Sequence, residues 1–230
     1  MKTLSKRIKT NKQKIEQRFY TPEEAIKLVK ETSNANFIES IEVHISLFIN
    51  TKYSDQQLRS TLLLPKGTGK TKRVAVLMPQ ESITLEQKSL ADIIGSDDLI
   101  DEITKGNLNF DILLSTPDMM PKLAKLGRIL GPKGLMPSPK AGTVTTDVKL
   151  TLEEFKKGKL EYRADKTGIV HLMIGKSDFP DSDLLENLIA VYKSIENNKP
   201  SGVKGRYFRT FYICSTMGPS IPIDLASFKS

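Results

Sequence analysis

Between residues 42 and 50 apolar and polar side chains alternate, with Val43, Ile45, Leu47 and Ile49 on one side and Glu42, His44 and Ser46 on the other. That period of two predicts a half-buried strand. Upstream, Thr21-Pro22-Glu23-Glu24 predicts a helix start: threonine as N-cap, proline at the first helical position, and a glutamate placed to complete a capping box. Ala25, Ile26 and Val29 then share one face. Residues 62–64 predict a second strand, and the β-branched run 73–78, ended by Pro79, a third. Helical material is expected near 85–94 and 98–105, a short buried strand over 110–115, and a helix over 118–130 with Met119, Leu123, Leu126 and Leu130 on one stripe. Residues 127–143 are rich in Gly, Pro and Lys and predict a loop, with a strand returning over 144–150. Further on, Asp165-Lys166-Thr167-Gly168 sits between two strand-like runs, 160–163 and 169–174, as in a hairpin. Leu185, Leu188, Ile189, Tyr192 and Ile195 stripe a helix that ends before Pro200, and 209–215 forms the last strand.

Neither end piece has enough helix and strand to bury a core alone, but together they do. The middle, where strand and helix alternate, implies a small sheet with helices on it. The expected architecture is therefore an α+β first domain, discontinuous over 1–66 and 159–230, with an inserted three-layer α/β Rossmann-like domain over 67–158. The two crossings, 65–70 and 156–160, predict a hinge at Pro65, Gly67, Gly69 and Gly158.

GTGKT at 67–71 raises the question of a phosphate loop. That motif needs a first glycine five residues before Gly69, where Leu64 stands, and a helix after the loop, where the run 73–78 reads as strand. A domain junction is the better reading.

The chain has 230 residues and a formal net charge of +8, which suggests a polyanionic partner. Seven cations (Lys2, Lys6, Arg7, Lys9, Lys12, Lys14, Arg18) face Glu16 alone near the N-terminus. Six more (Lys122, Lys125, Arg128, Lys133, Lys140, Lys149) face only Asp147. Residues 81–118 are acidic instead. Such blocks together favour nucleic acid. The loop bearing Lys133 and Lys140 reads equally well as an RNA contact or as a solubilising loop.

No run reaches the roughly 18 apolar residues of a membrane span, and the N-terminus lacks the apolar core of a secretion signal. The expectation is a soluble, intracellular protein with no membrane partner. One cysteine and two histidines leave no disulfide, no zinc site built from cysteine pairs and few metal ligands. Cys214 reads as a small buried strand residue. No local signature joins it to His44 or His171, so no catalytic residue, metal or cofactor is expected, and enzyme activity is not.

The run 125–137, Lys-Leu-Gly-Arg-Ile-Leu-Gly-Pro-Lys-Gly-Leu-Met-Pro, continuing Ser-Pro-Lys-Ala-Gly-Thr-Val144, resembles the signature of the family of ribosomal protein one of the large subunit. Residues 54–65, the turn 165–168, the stretch 199–205 and Ser215-Thr216-Met217-Gly218-Pro219 resemble its bacterial and organellar branch. The resemblance implies a two-domain protein of the mobile stalk, monomeric outside the ribosome, that binds large-subunit rRNA through its first domain and assists release of deacylated tRNA from the exit site. It also implies an alternative role as a translational repressor binding its own mRNA. A nucleotide-dependent α/β enzyme is the remote alternative. The rRNA contacts it implies are Phe37, Ser40, Glu42, His44, Arg163, Lys166, His171, Thr210, Thr216, Met217 and Gly218. Without the resemblance Phe37 would read as core, and Thr216 to Gly218 as a strand ending in a turn. The setting implied is a ribosome in the bacterial cytoplasm or the plastid stroma, with the lysine-rich composition leaning towards the plastid.

Overall fold

A computed structural model of the chain describes residues 5–82 and 91–228. The fold divides into two compact units, Met1–Gly69 with Glu161–Ser230, and Lys70–Leu160.

The first unit is an antiparallel sheet with helices on one face. Its strands are β1 (Ser40–Leu47), β7 (Ile169–Lys176), β8 (Phe208–Ser215) and β9 (Ile221–Pro222), in the order β7-β1-β8-β9. Along β1 the side chains Ile41, Val43, Ile45 and Leu47 are buried, and the residues between them are not. The expected alternation is present, although the strand ends at Leu47 and leaves Ile49 beyond it. Against the buried face lie α2 (Pro22–Thr32) and α7 (Asp181–Asn197). The short α1 (Lys6–Gln13) is tied to the end of α2 by buried Asn11, whose amide donates to Thr32 O at 2.8 Å. α2 starts where expected: the Thr21 hydroxyl accepts from Glu24 N–H and the Glu24 carboxylate accepts from Thr21 N–H. In α7 the buried stripe is Leu184, Leu188, Val191, Tyr192 and Ile195, about one position off the expected one, so Leu185 and Ile189 sit at its margin. Burying each such side chain contributes about 1.5 to 3 kcal/mol.

The expected hairpin forms its turn but not its ladder. β6 (Lys159–Arg163) pairs with β2 (Arg59–Leu63), and a single bridge, Ala164 with Val170, ties it to β7. The cause is the pull of α7: Tyr162 is buried and its hydroxyl donates to Ser194 O at 3.2 Å, which draws β6 off the main sheet. The turn itself is held by the Asp165 carboxylate, which accepts from Thr167 N–H and Ile169 N–H, both at 2.8 Å. Gly168 has φ +80°, and an added Cβ would press on Leu47 O.

The second unit is a three-layer arrangement about a parallel sheet, β4-β3-β5, made of β3 (Val74–Leu77), β4 (Ile93–Gly95) and β5 (Ile112–Ser115). All four β3 side chains are buried because both faces are covered. Ala75 and Leu77 pack with α3 (Asp97–Thr104) and the segment 117–130, while Val74 and Val76 pack on α6 (Val148–Lys156). Three expectations are corrected. The helix near 85–94 lies mostly outside the described residues, and its end, Ile93-Ile94, is strand. The helix over 118–130 is broken into a 3-10 turn and two short helices, α4 (Met120–Ala124) and α5 (Gly127–Leu130), with Leu126 (ψ 4°) and Gly127 at the break. The strand over 144–150 shrinks to one bridge from Val144 to Ser115, because Val148, Leu152 and Phe155 follow a helical spacing that seats α6 on the core.

GTGKT runs into β3, a strand. Gly67 and Gly69 have φ of +64° and +70°, and Gly158 has +107°. Pro65 is exposed, and the connector after it is tied to α7 by buried Asn187. That side chain accepts from Lys66 N–H and donates to Gly67 O.

Candidate nucleic-acid interface

With α2 and α7 covering one face of the first unit's sheet, the other face is left open. Strand register then decides which side chains share it. His44 stands between His171 and Tyr212, Glu42 between Met173 and Cys214, and Ser46 between Ile169 and Thr210. Five sequence-predicted residues (Glu42, His44, His171, Thr210 and, at the end of β1, Ser40) therefore lie on one surface. Cys214 lies there too: it is a strand residue as expected, but half-buried on the open face rather than part of the core. Residues 210, 212 and 214 have the same parity, so the alternation along β8 carried that signal.

At one end of this face two loops meet. Phe37 and Ile38, 55% and 57% exposed, precede β1, and Met217, 49% exposed, follows β8. They are joined by Glu39, which is 1% exposed. Its carboxylate accepts from Ala35 N–H at 3.0 Å and from Met217 N–H at 2.9 Å, so one buried group holds both loops. Nothing in the local sequence marks Glu39; only the closure of β8 onto β1 does. Thr216 adds a second clasp, because its hydroxyl accepts from Ser40 N–H at 3.0 Å and lies 3.2 Å from Ser40 O. Much of its hydrogen-bonding capacity is thus spent on the fold rather than offered to a ligand. Gly218 does not have a positive φ. Its need for glycine is one of space: a Cβ there would lie 2.3 Å from Ser215 Oγ, a buried hydroxyl without a hydrogen-bond partner among the described residues.

At the centre, His44 Nδ1 and His171 Nδ1 are 2.8 Å apart, and His44 Nε2 is 3.2 Å from Cys214 Sγ. In one consistent assignment the thiol donates to His44 Nε2, His44 Nδ1–H donates to His171 Nδ1, and His171 Nε2–H points towards Asp165, 3.8 Å away, while the Glu42 carboxylate lies 4.0 Å from His44 Nε2. The physical chemistry agrees. Burial lowers the His44 pKa, aided by His171 and opposed by Glu42, so the ring stays neutral at pH 7. Burial, with Glu42 beside it, pushes the Cys214 thiol up to about 11. A thiol so held is the reverse of an activated nucleophile, although the fold has brought cysteine and histidines together.

At the other end the turn 165–168 projects exposed Lys166, whose carbonyl accepts from the Thr51 hydroxyl at 2.8 Å. Exposed Arg163 and Lys166 share a depression of about 300 Å³ with Arg59, whose guanidinium pairs with Glu161 at 2.5 Å. The arrangement as a whole offers exposed apolar groups at one end, histidine and hydroxyl hydrogen-bonding groups beside the Glu42 carboxylate in the middle, and cations at the other end. Open sheet faces of this kind suit single-stranded or irregular RNA, whose splayed bases stack on exposed side chains while cations meet phosphates. Among the described residues, no helix is long and apolar enough to cross a membrane.

Residues 29–219 match the model of the ribosomal protein L1p/L10e family. The chain is 59% identical over 229 residues to large ribosomal subunit protein uL1c of Rhodomonas salina, covering 100% of this chain and 98% of the relative. It is 57% identical to uL1c of Porphyra purpurea over 227 residues, 99% of each chain. A large ribosomal subunit protein uL1 of the bacterium Prochlorococcus marinus is 56% identical over 229 residues, 100% of this chain and 98% of the relative.

Proposed function

The chain belongs to the ribosomal protein L1p/L10e family, and from that premise we propose that it is a structural, non-enzymatic constituent of the large ribosomal subunit, in a plastid or a bacterium, that holds rRNA on the open sheet face. The observation that carries this reading is the exposure of Phe37, Ile38 and Met217 at the point where Glu39 locks their two loops together. Exposed apolar groups on rigid supports are costly for a free protein and useful to a partner, since bases and riboses cover them without further ordering. Glu42, His44, His171 and Thr210 supply hydrogen-bonding groups beside them, and Arg163 and Lys166 meet phosphates.

The second unit then serves the finer function, assisting the release of deacylated tRNA from the exit site, by moving on the connectors at 65–70 and 156–160. The positive φ of Gly67, Gly69 and Gly158 supports that assignment, as such positions turn the chain where other residues resist. The same open face would serve for repression through the chain's own mRNA, provided that the mRNA presents a like structure.

The test is sedimentation and binding together. The chain should migrate with large subunits through a high-salt gradient, and the purified protein should bind a stalk fragment of large-subunit rRNA more tightly than a duplex of equal length. Equal affinity for the two would reduce the interaction to phosphate attraction and defeat the proposal.

A further inference from the structure

Beyond the contacts already assigned, the far end of β1 carries a second group of exposed ring and cations. Phe48 follows the last residue of that strand and is 48% exposed. The guanidinium carbons of Arg206 and Arg209 lie 6.0 and 5.8 Å from its ring centroid. Phe48 and Arg206 are held in place by hydrogen bonds to the backbone. Phe48 N–H donates to Tyr207 O at 2.8 Å. Arg206 Nε–H donates to Phe208 O at 3.0 Å and its Nη2 to Arg209 O at 3.5 Å, which leaves the rest of the guanidinium's donors unspent. Arg209 owes its direction to a bulge: Ser46 pairs with Thr210 and Leu47 with Phe208, so Arg209 is the extra residue between them. Bulges re-aim side chains in this way.

The charge is not balanced locally. From Lys199 to Arg209 the chain has Lys199, Lys204, Arg206 and Arg209 and no carboxylate. Among the described residues no ion pair joins Arg206 or Arg209 to an acid, and the hydrogen bonds of Arg206 go to carbonyls. At about 6 Å the guanidiniums sit at the outer limit of a cation–π contact, so little attraction between ring and cation explains the arrangement. A half-exposed ring with two guanidiniums over it at about 6 Å is instead a site where an unstacked base can take the ring while the displaced cations meet its phosphates.

We propose that Phe48, Arg206 and Arg209 form a second RNA subsite, in which one unstacked base lies on the Phe48 ring and its flanking phosphates meet the two guanidiniums. The inference rests on the reading of the open face as the rRNA surface and extends it. β1 separates Phe37 from Phe48, and at about 3.3 Å per residue its eight residues make a face of roughly 25 Å between the two ring positions. The RNA is thus gripped at both ends, with the histidine row between.

The experiment titrates the full-length protein with a stalk fragment of large-subunit rRNA at several salt concentrations, followed by fluorescence anisotropy. Phe48→Ala should weaken binding about 5- to 150-fold, the range for one base stacked on an aromatic ring, and leave the salt slope unchanged. Phe48→Tyr should bind like the parent, whereas Phe48→Leu, which keeps the apolar packing but not the flat ring, should not. Arg206→Gln with Arg209→Gln should reduce the slope of log affinity against log salt by about 1.4 to 1.8 for two phosphates. Near-ultraviolet circular dichroism checks that each variant is folded. Met217→Ala, at the opposite end, separates the two levels of the argument. If Met217→Ala weakens binding and the Phe48 and arginine variants do not, the second subsite is wrong and the open-face reading stands. If none of the variants weakens it, the open-face reading fails as well. Should Phe48→Ala bind naked RNA normally yet fall out of assembled subunits, the patch meets a protein and the proposal is overturned.

Discussion

Replacing Glu39 by glutamine keeps the shape of the side chain and removes one acceptor, which isolates its work as a clamp. One oxygen of the amide can still accept from Ala35 N–H, now 3.0 Å from the carboxylate, but the NH2 group must then face Met217 N–H, at present 2.9 Å from its acceptor. Donor faces donor, and the bond to Met217 is lost. A hydrogen bond to a charged group contributes about 1.5 to 3 kcal/mol, offset in part because a neutral amide is cheaper to bury than a carboxylate. A net loss of stability of about 1 kcal/mol is expected. Affinity should fall by more, since Thr216 stays clasped to Ser40 while Met217 and Gly218 come loose. Ordering two residues on binding costs about 1 kcal/mol each, so about 2 kcal/mol, or roughly 30-fold in Kd for the rRNA fragment. Urea denaturation gives the first number and an anisotropy titration the second. If the folded Glu39→Gln protein binds rRNA with the parent's affinity, the clamp plays no part in recognition.

Three further outcomes are expected. Gly218→Ala should destabilise the protein by about 1 to 3 kcal/mol through the clash with Ser215 Oγ, and Ser215→Ala in the same chain should restore it, as a double-mutant cycle in urea would show. His44 has a folded-state pKa below its ordinary value, so the unfolded chain takes up its proton first as the pH falls through about 6.5. Stability should therefore decline below that pH towards the folded-state pKa, and His44→Gln should flatten the decline in urea midpoints taken between about pH 7.5 and 5.5; an unchanged slope would remove His44 from the account. Lys166→Gln should lower the salt slope of rRNA binding by about 0.7 to 0.9, whereas Met217→Ala should weaken binding at every salt concentration alike.

Much of this structure is legible where local chemistry governs. The capping box at Thr21, the alternation along β1 and the turn at Asp165 each depend on residues within a few positions of one another, and each is found. Elements that answer to distant partners are not legible. β6 looks like the first arm of a hairpin until Tyr162 is drawn to Ser194, and residues 144–150 look like strand until Val148 and Leu152 find the buried face of β3. The candidate site divides in the same way. The parity of β1 puts Glu42 and His44 together, but Glu39 acquires its role only when residues 178 apart in sequence are joined by β8. Arg209 acquires its direction only from a bulge, which a regular period cannot announce.

The central claim is that RNA lies on the open face of the sheet β7-β1-β8. Ultraviolet crosslinking of purified large subunits containing the chain, with the crosslinked peptides read by mass spectrometry, tests it most directly. The account predicts rRNA adducts on the peptides bearing Phe37, His171 and Met217, all on that face or its rim. Adducts confined to the opposite side, on the α7 peptide that carries Leu185 and Ile189, or to residues 70–160, would contradict it.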